Sequence, residues 1–285
     1  MTQPAPSLLL LIPAYNEEKR IEPVLRDYAE YFQKNYSGHF RLVVVLNGCR
    51  DNTLAVVQRV AKEFPSISAL DFAQPIGKGG ALIEGLRLAT DPDDPAELIG
   101  YVDAYGATSP KTLHQLAQLV TGGTDCVIGS RWLPGAILHQ SQTRMRRFVS
   151  RSFHAIVECL FWMHIADTQC PGKVMRRAAI EKVHGNLLLS DLSFDVNLLY
   201  ALKHAGFSIK EVPIEWTDIG GSKVTQTLLR SSLVMFLSVV RLRLVYSRLR
   251  PLLRPLRPLQ TWIYTKLKAP LPISQSEKER NESKR

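Results

Sequence analysis

Leu8-Leu9-Leu10-Leu11-Ile12-Pro13-Ala14-Tyr15-Asn16-Glu17-Glu18 joins an unbroken apolar run to a polar turn. Apolar residues without alternation suit a strand covered on both faces. Glu17–Tyr36 follows with Ile21, Val24, Leu25, Tyr28 and Phe32 at helical spacing. The same alternation then repeats. Strands are predicted over Leu42–Leu46, Ile67–Phe72 and Leu98–Val102, with helices over Asp51–Phe64 and Lys78–Ala89. Strands alternating with helices imply right-handed crossovers, hence an α/β, Rossmann-like fold whose sheet is mainly parallel and flanked by helices. Ligands of such sheets lie beyond the carboxyl ends of the strands. Tyr15-Asn16-Glu17, Asn47-Gly48-Cys49-Arg50-Asp51 and Asp103-Ala104-Tyr105 all follow strand ends, so one crevice can collect them. Further on, helices are predicted over Pro110–Val120, Thr143–Ile165 and Phe194–Ala205, and strands over Asp125–Gly129 and Ile209–Trp216.

The charge is unevenly placed. The chain has 285 residues and a formal net charge of +10, from 36 Lys and Arg against 26 Asp and Glu. Residues 1–225 are neutral overall, whereas residues 226–268 hold nine basic side chains and no acidic one. A uniformly cationic nucleic-acid-coating surface is therefore excluded, and the basic segment calls for an anionic partner. The four cysteines, Cys49, Cys126, Cys159 and Cys170, form no CxxC pair, which fits a reducing cytosol. The N-terminus lacks a basic region ahead of its apolar run, so no signal peptide is expected. The longest charge-free apolar stretch near the other end, Ser231–Val240, is half the ~20 residues a membrane span needs.

Individual motifs are suggestive. Gly77-Lys78-Gly79-Gly80 is not a Walker loop, because Gly79 stands where Ser or Thr is required. Nor is it a dinucleotide fingerprint, whose third glycine would fall on Leu82. What remains is a glycine-rich helix start bearing a lysine, able to approach a diphosphate closely. Asp103 closes an apolar strand, where a carboxylate meets a sugar hydroxyl or a hard divalent cation; it equally suits a turn that caps the next helix. Asp167, Gln169, Arg176 and Arg177 lie in one polar-rich stretch, with Asp167 either a base or orienting group or a turn residue. His154 and Glu158 are four apart on a helix and make half a metal site.

The ordered combination is more specific. Ile12-Pro-Ala-Tyr-Asn-Glu-Glu18, Leu46-Asn-Gly-Cys-Arg-Asp-Asn-Thr53, Gly77-Lys-Gly-Gly-Ala81, Val102-Asp-Ala-Tyr-Gly-Ala-Thr108, Ile128-Gly-Ser-Arg131 and Asp167-Thr-Gln-Cys-Pro-Gly-Lys173 occur in sequence. Phe194-Asp-Val-Asn-Leu-Leu199, Glu211-Val-Pro-Ile-Glu-Trp216 and Gly221-Ser-Lys-Val224 follow. The set, over roughly residues 7–245, resembles the family 2 glycosyltransferases of the polyprenyl-phosphate type, the dolichyl-phosphate glucosyltransferases above all.

That resemblance implies a GT-A fold and inverting transfer of a hexose from a nucleoside-diphosphate sugar, UDP-glucose favoured, to a dolichyl or undecaprenyl phosphate at the cytoplasmic membrane face. It implies nucleoside contacts from Pro13, Ala14, Tyr15 and Glu17. Asn47 and Asp51 match polar positions of the second motif, although Leu46 stands where an Asp is usual. Lys78 and Arg131 would meet the diphosphate, Arg131 with Ser222 and Lys223 the acceptor phosphate, and Asp103, Asp167 and Gln169 the reacting groups.

The metal motif departs from the pattern. Asp-Ala-Asp-Gly-Ala-Thr is usual, whereas Tyr105 replaces the second carboxylate here. A weaker metal site, metal-independent catalysis and lost activity are the three readings; the expectation is a retained enzyme with altered metal dependence, either Mg²⁺ or Mn²⁺ on Asp103 aided by Gln169 or a phosphate contact from Tyr105. Transfer to a hydroxyl acceptor, and a non-catalytic membrane-bound adaptor, are the alternatives. The domain reading is a catalytic body over 1–225, a basic amphipathic membrane-associated segment over 226–268 with Trp262 and Tyr264, and a disordered polar tail over 269–285. The protein is thus expected to sit peripherally on an anionic membrane surface from the cytoplasm, without a transmembrane span.

Overall fold

In the computed structural model, residues 5–139, 144–189, 191–217 and 228–247 are described. Leu8–Ala14 forms β1, and Leu8 to Ile12 are almost wholly buried. Burial of each such leucine is worth ~1.5–3 kcal/mol, so this strand anchors the core. Phe40–Asn47 (β2) and Leu98–Tyr101 (β4) flank β1 in parallel, and Ile67–Phe72 (β3) pairs with β2. Between them run helices Ile21–Asn35 (α1), Thr53–Glu63 (α2) and Lys78–Leu88 (α3). The apolar stripe predicted for α1 is the buried one: Ile21, Val24, Leu25, Tyr28 and Phe32 all face the core. The helix begins at Ile21 rather than Glu17, because Glu17–Arg20 is used in a turn.

After Pro110–Thr121 (α4) and Cys126–Ser130 (β5) comes Arg144–Phe161 (α5). That helix stops short of Ile165, since Trp162 and His164 adopt positive φ. Lys173–Arg176 (β7) then inserts between β4 and β5, antiparallel to both. Neither β7 nor the helix after it, Arg177–Val183 (α6), is legible as a separate period in the sequence. Phe194–His204 (α7) leads to Ile209–Pro213 (β8), which pairs in parallel with β5. The seven-stranded order is β3-β2-β1-β4-β7-β5-β8.

The strand expected over 209–216 is divided. Glu215–Trp216 (β9) leaves the main sheet and pairs instead with Ile137–Leu138 (β6). Leu228–Val245 forms α8. The chain divides into compact units 1–242 and 243–285, and of the second only residues 243–247 are described. The expected border near 225, residues 248–268 and the tail 269–285 lie outside the described residues. Among those described, no helix is long and apolar enough to cross a membrane.

Candidate functional site

β1, β2, β3, β4 and β5 point the same way, while β7 runs against them. The turns after β1, β2, β4 and β5 and the segment entering β7 therefore meet at one edge. A wholly parallel sheet would have sent residues 167–173 to the other end.

The first two turns are stitched together. The Glu17 amide donates to Thr53 Oγ1 at 2.8 Å, and the Arg50 amide to Asn16 Oδ1 at 2.8 Å. Asp51 accepts from the Thr53 amide at 3.1 Å and the Glu18 amide at 3.3 Å. Asn47 Oδ1 accepts from the Ile76 and Gly77 amides at 2.6 and 3.0 Å. Asn47 and Asp51 thus shape the loops around the crevice. Pro13 and Ala14 end β1, Tyr15 stands exposed beyond it, and the Glu17 carboxylate grips Arg20 at 2.7 and 2.9 Å.

Asn47 sets up Lys78. Gly77 has φ +83, a conformation that strains any residue with a Cβ, and it turns the chain into α3. A Cβ on Gly79 would lie 2.5 Å from the Leu189 carbonyl oxygen and 2.7 Å from Phe194 Cβ, so only glycine lets α3 start this close to α7 and the segment before it. Lys78 Nζ then reaches Asp103 Oδ1 at 2.7 Å. The Tyr105 hydroxyl donates to Asp103 Oδ2, and the Arg20 guanidinium lies 5.8 Å from the Tyr105 ring centre. Burial alone would raise the Asp103 pKa, but Lys78, Tyr105 and Arg131 outweigh it and hold the carboxyl below its ordinary range. Burial likewise disfavours the Lys78 ammonium; the charges of Asp103 and Asp195 reverse that and raise its pKa.

Beside this pair, Arg131 holds Asp167 bidentately, Nε to Oδ2 at 2.7 Å and Nη2 to Oδ1 at 2.9 Å, and its amide adds a bond of 3.0 Å. The guanidinium lies 5.0 Å from the Trp216 ring centre. Glu211 fixes the turn from below by accepting from the Ala166 and Asp167 amides at 2.7 and 2.9 Å. Burial pushes the Asp167 pKa up, yet the bonds and charge of Arg131 keep it below the ordinary carboxylate value. The late motif Glu211–Trp216, to which sequence reasoning gave no role, is therefore the mount for Arg131 and Asp167.

A second buried pair underlies the first. Lys173 is wholly buried, with Nζ 2.5 Å from Asp195 Oδ1 and a further bond to the Cys170 carbonyl. Tyr101 donates to the same Asp195 oxygen, and its ring centre is 5.3 Å from Lys173 Nζ. Lys173, Asp195 and Tyr101 were missed as site residues, although the first two lie in recognised motifs.

Other expectations part company with the site. Arg176 and Arg177 bond backbone oxygens of residues 91–94 and 120–124, at the far end of β7. His154 and Glu158 do not form a metal pair: His154 packs its ring on Trp132, while Glu158 binds the His164 amide and ring. Gln169 has a buried amide nitrogen without a partner among the described residues. Ser222 and Lys223 lie outside those residues.

The divalent cation expected on Asp103 does not fit its surroundings. Both carboxylate oxygens already receive a proton donor, Lys78 on one and Tyr105 on the other. Among the described residues no three His, Cys, Asp or Glu side chains converge as a ligand set. A divalent cation there would also be repelled by the Lys78 ammonium, which already sits on the same carboxylate.

Comparison with known proteins agrees with this architecture. The pattern of "Glycosyl transferase family 2" matches residues 10–184. A dolichyl-phosphate beta-glucosyltransferase of Trichomonas vaginalis is 31% identical over 223 residues, covering 75% of this chain and 65% of that protein. The chain thus spans just under two thirds of that relative. The mouse dolichyl-phosphate beta-glucosyltransferase is 30% identical over 234 residues, 78% of this chain and 70% of the relative. Among solved structures, glucosyl-3-phosphoglycerate synthase of Mycobacterium tuberculosis, crystallised with Mn²⁺, UDP and phosphoglyceric acid, superposes with a TM-score of 0.62 at 14% identity. That overlap covers 84% of this chain and 78% of the synthase, and it shows a shared GT-A-like fold. With its ordered motifs, sheet topology and family match in agreement, the chain belongs to glycosyl transferase family 2.

Proposed function

We propose that the protein transfers a glucosyl group, with inversion, from UDP-glucose to a polyprenyl phosphate at the cytoplasmic face of a membrane. The observation that carries this reading is the Arg131–Asp167 pair. A carboxylate held by two guanidinium bonds, with its pKa depressed, is a poor base for a hydroxyl acceptor. A phosphate acceptor is already anionic and needs no base. Its oxygen forms the new bond to the anomeric carbon while the bond to the β-phosphate oxygen breaks, and that electron pair leaves on UDP. No proton has to move.

On this reading Tyr15 and Glu17 border the nucleoside, between turns that Asn47 and Asp51 shape, while Lys78 and Arg131 stand where negative charge grows. Cations fixed in a partly dry site stabilise such charge without reorganising. Asp103 orients Lys78, and Asp167 orients Arg131. Ser222 and Lys223 remain the proposed partners of the acceptor phosphate, as does residue range 226–268 for the anionic membrane. Leu233, Phe236 and Leu237, exposed at i, i+3 and i+4 of α8, support docking on lipid.

Incubation of the full chain with labelled UDP-glucose and dolichyl or undecaprenyl phosphate tests the reading. A labelled lipid-linked glucose is the expected product. Labelling only of a hydroxyl acceptor, or nucleotide binding without turnover on any acceptor, would replace it with the hydroxyl-transfer or adaptor alternative.

A further inference from the structure

We infer that Lys78 and Tyr105 stand in for the divalent cation at Asp103, so that the donor diphosphate is bound and its departing charge met by protein cations without a metal. This deepens the transferase reading and rests on it. Three observations converge. Tyr105 occupies the position of the second carboxylate in the usual motif, which leaves Asp103 as the motif's only anionic ligand. Its hydroxyl donates to one Asp103 oxygen, and Lys78 Nζ takes the other at 2.7 Å. No alternative ligand cluster exists among the described residues. Mg²⁺ and related ions bind through one or two carboxylates whose oxygens are open to the metal; here both are taken.

The replacement also has the right sign of charge and the right placement. Lys78 is the first residue of α3, and Gly77 before it offers no side-chain cap, so the helix start adds its own donors and partial positive charge. The Arg131 charge helps keep Asp103 ionised, while it opposes the Lys78 ammonium that Asp103 and Asp195 hold protonated. Arg20 lies against the Tyr105 ring and is itself held by Glu17, which keeps the phenol aimed at Asp103. A diphosphate entering this edge meets an ammonium already oriented by a buried carboxylate. Beneath them, Asp195 adds a second negative charge that keeps Lys78 protonated.

Calorimetric titration of the full chain with UDP and with GDP, in EDTA and in Mn²⁺, tests the inference. Wild-type affinity for the nucleotide that binds should change by less than about threefold between the two conditions. Lys78→Ala should weaken binding in EDTA by about tenfold or more, and Tyr105→Asp should make binding depend on Mn²⁺. A wild-type affinity about tenfold or more higher in Mn²⁺ than in EDTA would overturn the inference. So would an electron paramagnetic resonance signal of Mn²⁺ held by the wild-type protein with UDP. Metal-free nucleotide binding without glucosyl transfer would uphold the metal-free diphosphate site alone and remove the transferase reading, whereas failure of both nucleotides to bind would overturn both.

Discussion

Arg131 and Asp167 face each other through two parallel bonds of 2.7 and 2.9 Å, with Trp216 beside the guanidinium and Glu211 holding the Asp167 backbone. The pair is nearly closed to solvent, with side-chain exposures of 11% and 1%. Removing one member leaves the other charged, buried and without its partner.

Asp167→Ala should therefore destabilise the fold by about 3–5 kcal/mol, the range for breaking a buried ion pair. Asp167→Asn keeps one acceptor for Arg131 and should cost less. In the transfer assay Asp167→Asn should slow turnover yet leave it measurable, because the acceptor phosphate carries its own charge. Urea unfolding and initial rates check both, and complete loss of turnover in a folded Asp167→Asn protein would point to a base and a hydroxyl acceptor.

Lys173 and Asp195 should behave as one unit. Lys173→Met strands a buried carboxylate whose remaining side-chain hydrogen bond among the described residues is from Tyr101 and should cost about 3–5 kcal/mol. Combining it with Asp195→Asn should cost less than the sum of the two single changes, with a coupling of about 1 kcal/mol or more. A double-mutant cycle of denaturation midpoints measures it. Additive losses would mean that the 2.5 Å contact contributes no mutual stabilisation.

Acid should weaken the fold through Asp103 and Asp167. Their folded pKa values lie below the ordinary 3.8, so the stability they contribute is fully present above that value and is lost as pH falls through the lowered ones. Urea midpoints should hold steady from neutrality down to about pH 5 as far as these two groups are concerned, and then decline. Asp167→Asn should flatten part of that decline; an unchanged slope would show that its proton uptake does not differ between the folded and unfolded states.

Thiol chemistry should separate the four cysteines. Burial pushes Cys126 and Cys170 up to about 12, while Cys159 is exposed and Cys49 is half-buried. With a disulfide reagent at pH 8, Cys159 should react first and Cys49 more slowly, with Cys126 and Cys170 protected until urea is added. Rapid titration of all four in the native protein would contradict the close packing around β5 and the turn before β7.

The sequence by itself determined most of the elements of the parallel half of the sheet and their alternation. Leu8–Ala14, Ile67–Phe72 and the apolar face of α1 are local patterns, set by which neighbours must be buried together, and they carry the parallel half of the sheet. It also marked Lys78, Asp103, Arg131 and Asp167, because motifs at strand ends are local too. Partnership is not local. Nothing periodic announces that β7 turns against its neighbours, that β9 leaves β8, or that Lys173 and Asp195 are buried as a pair. Only the tertiary structure decided that Tyr105 and Lys78 occupy both oxygens of Asp103, because a carboxylate's partners depend on which loops the sheet brings to one edge and on how deeply they are buried there.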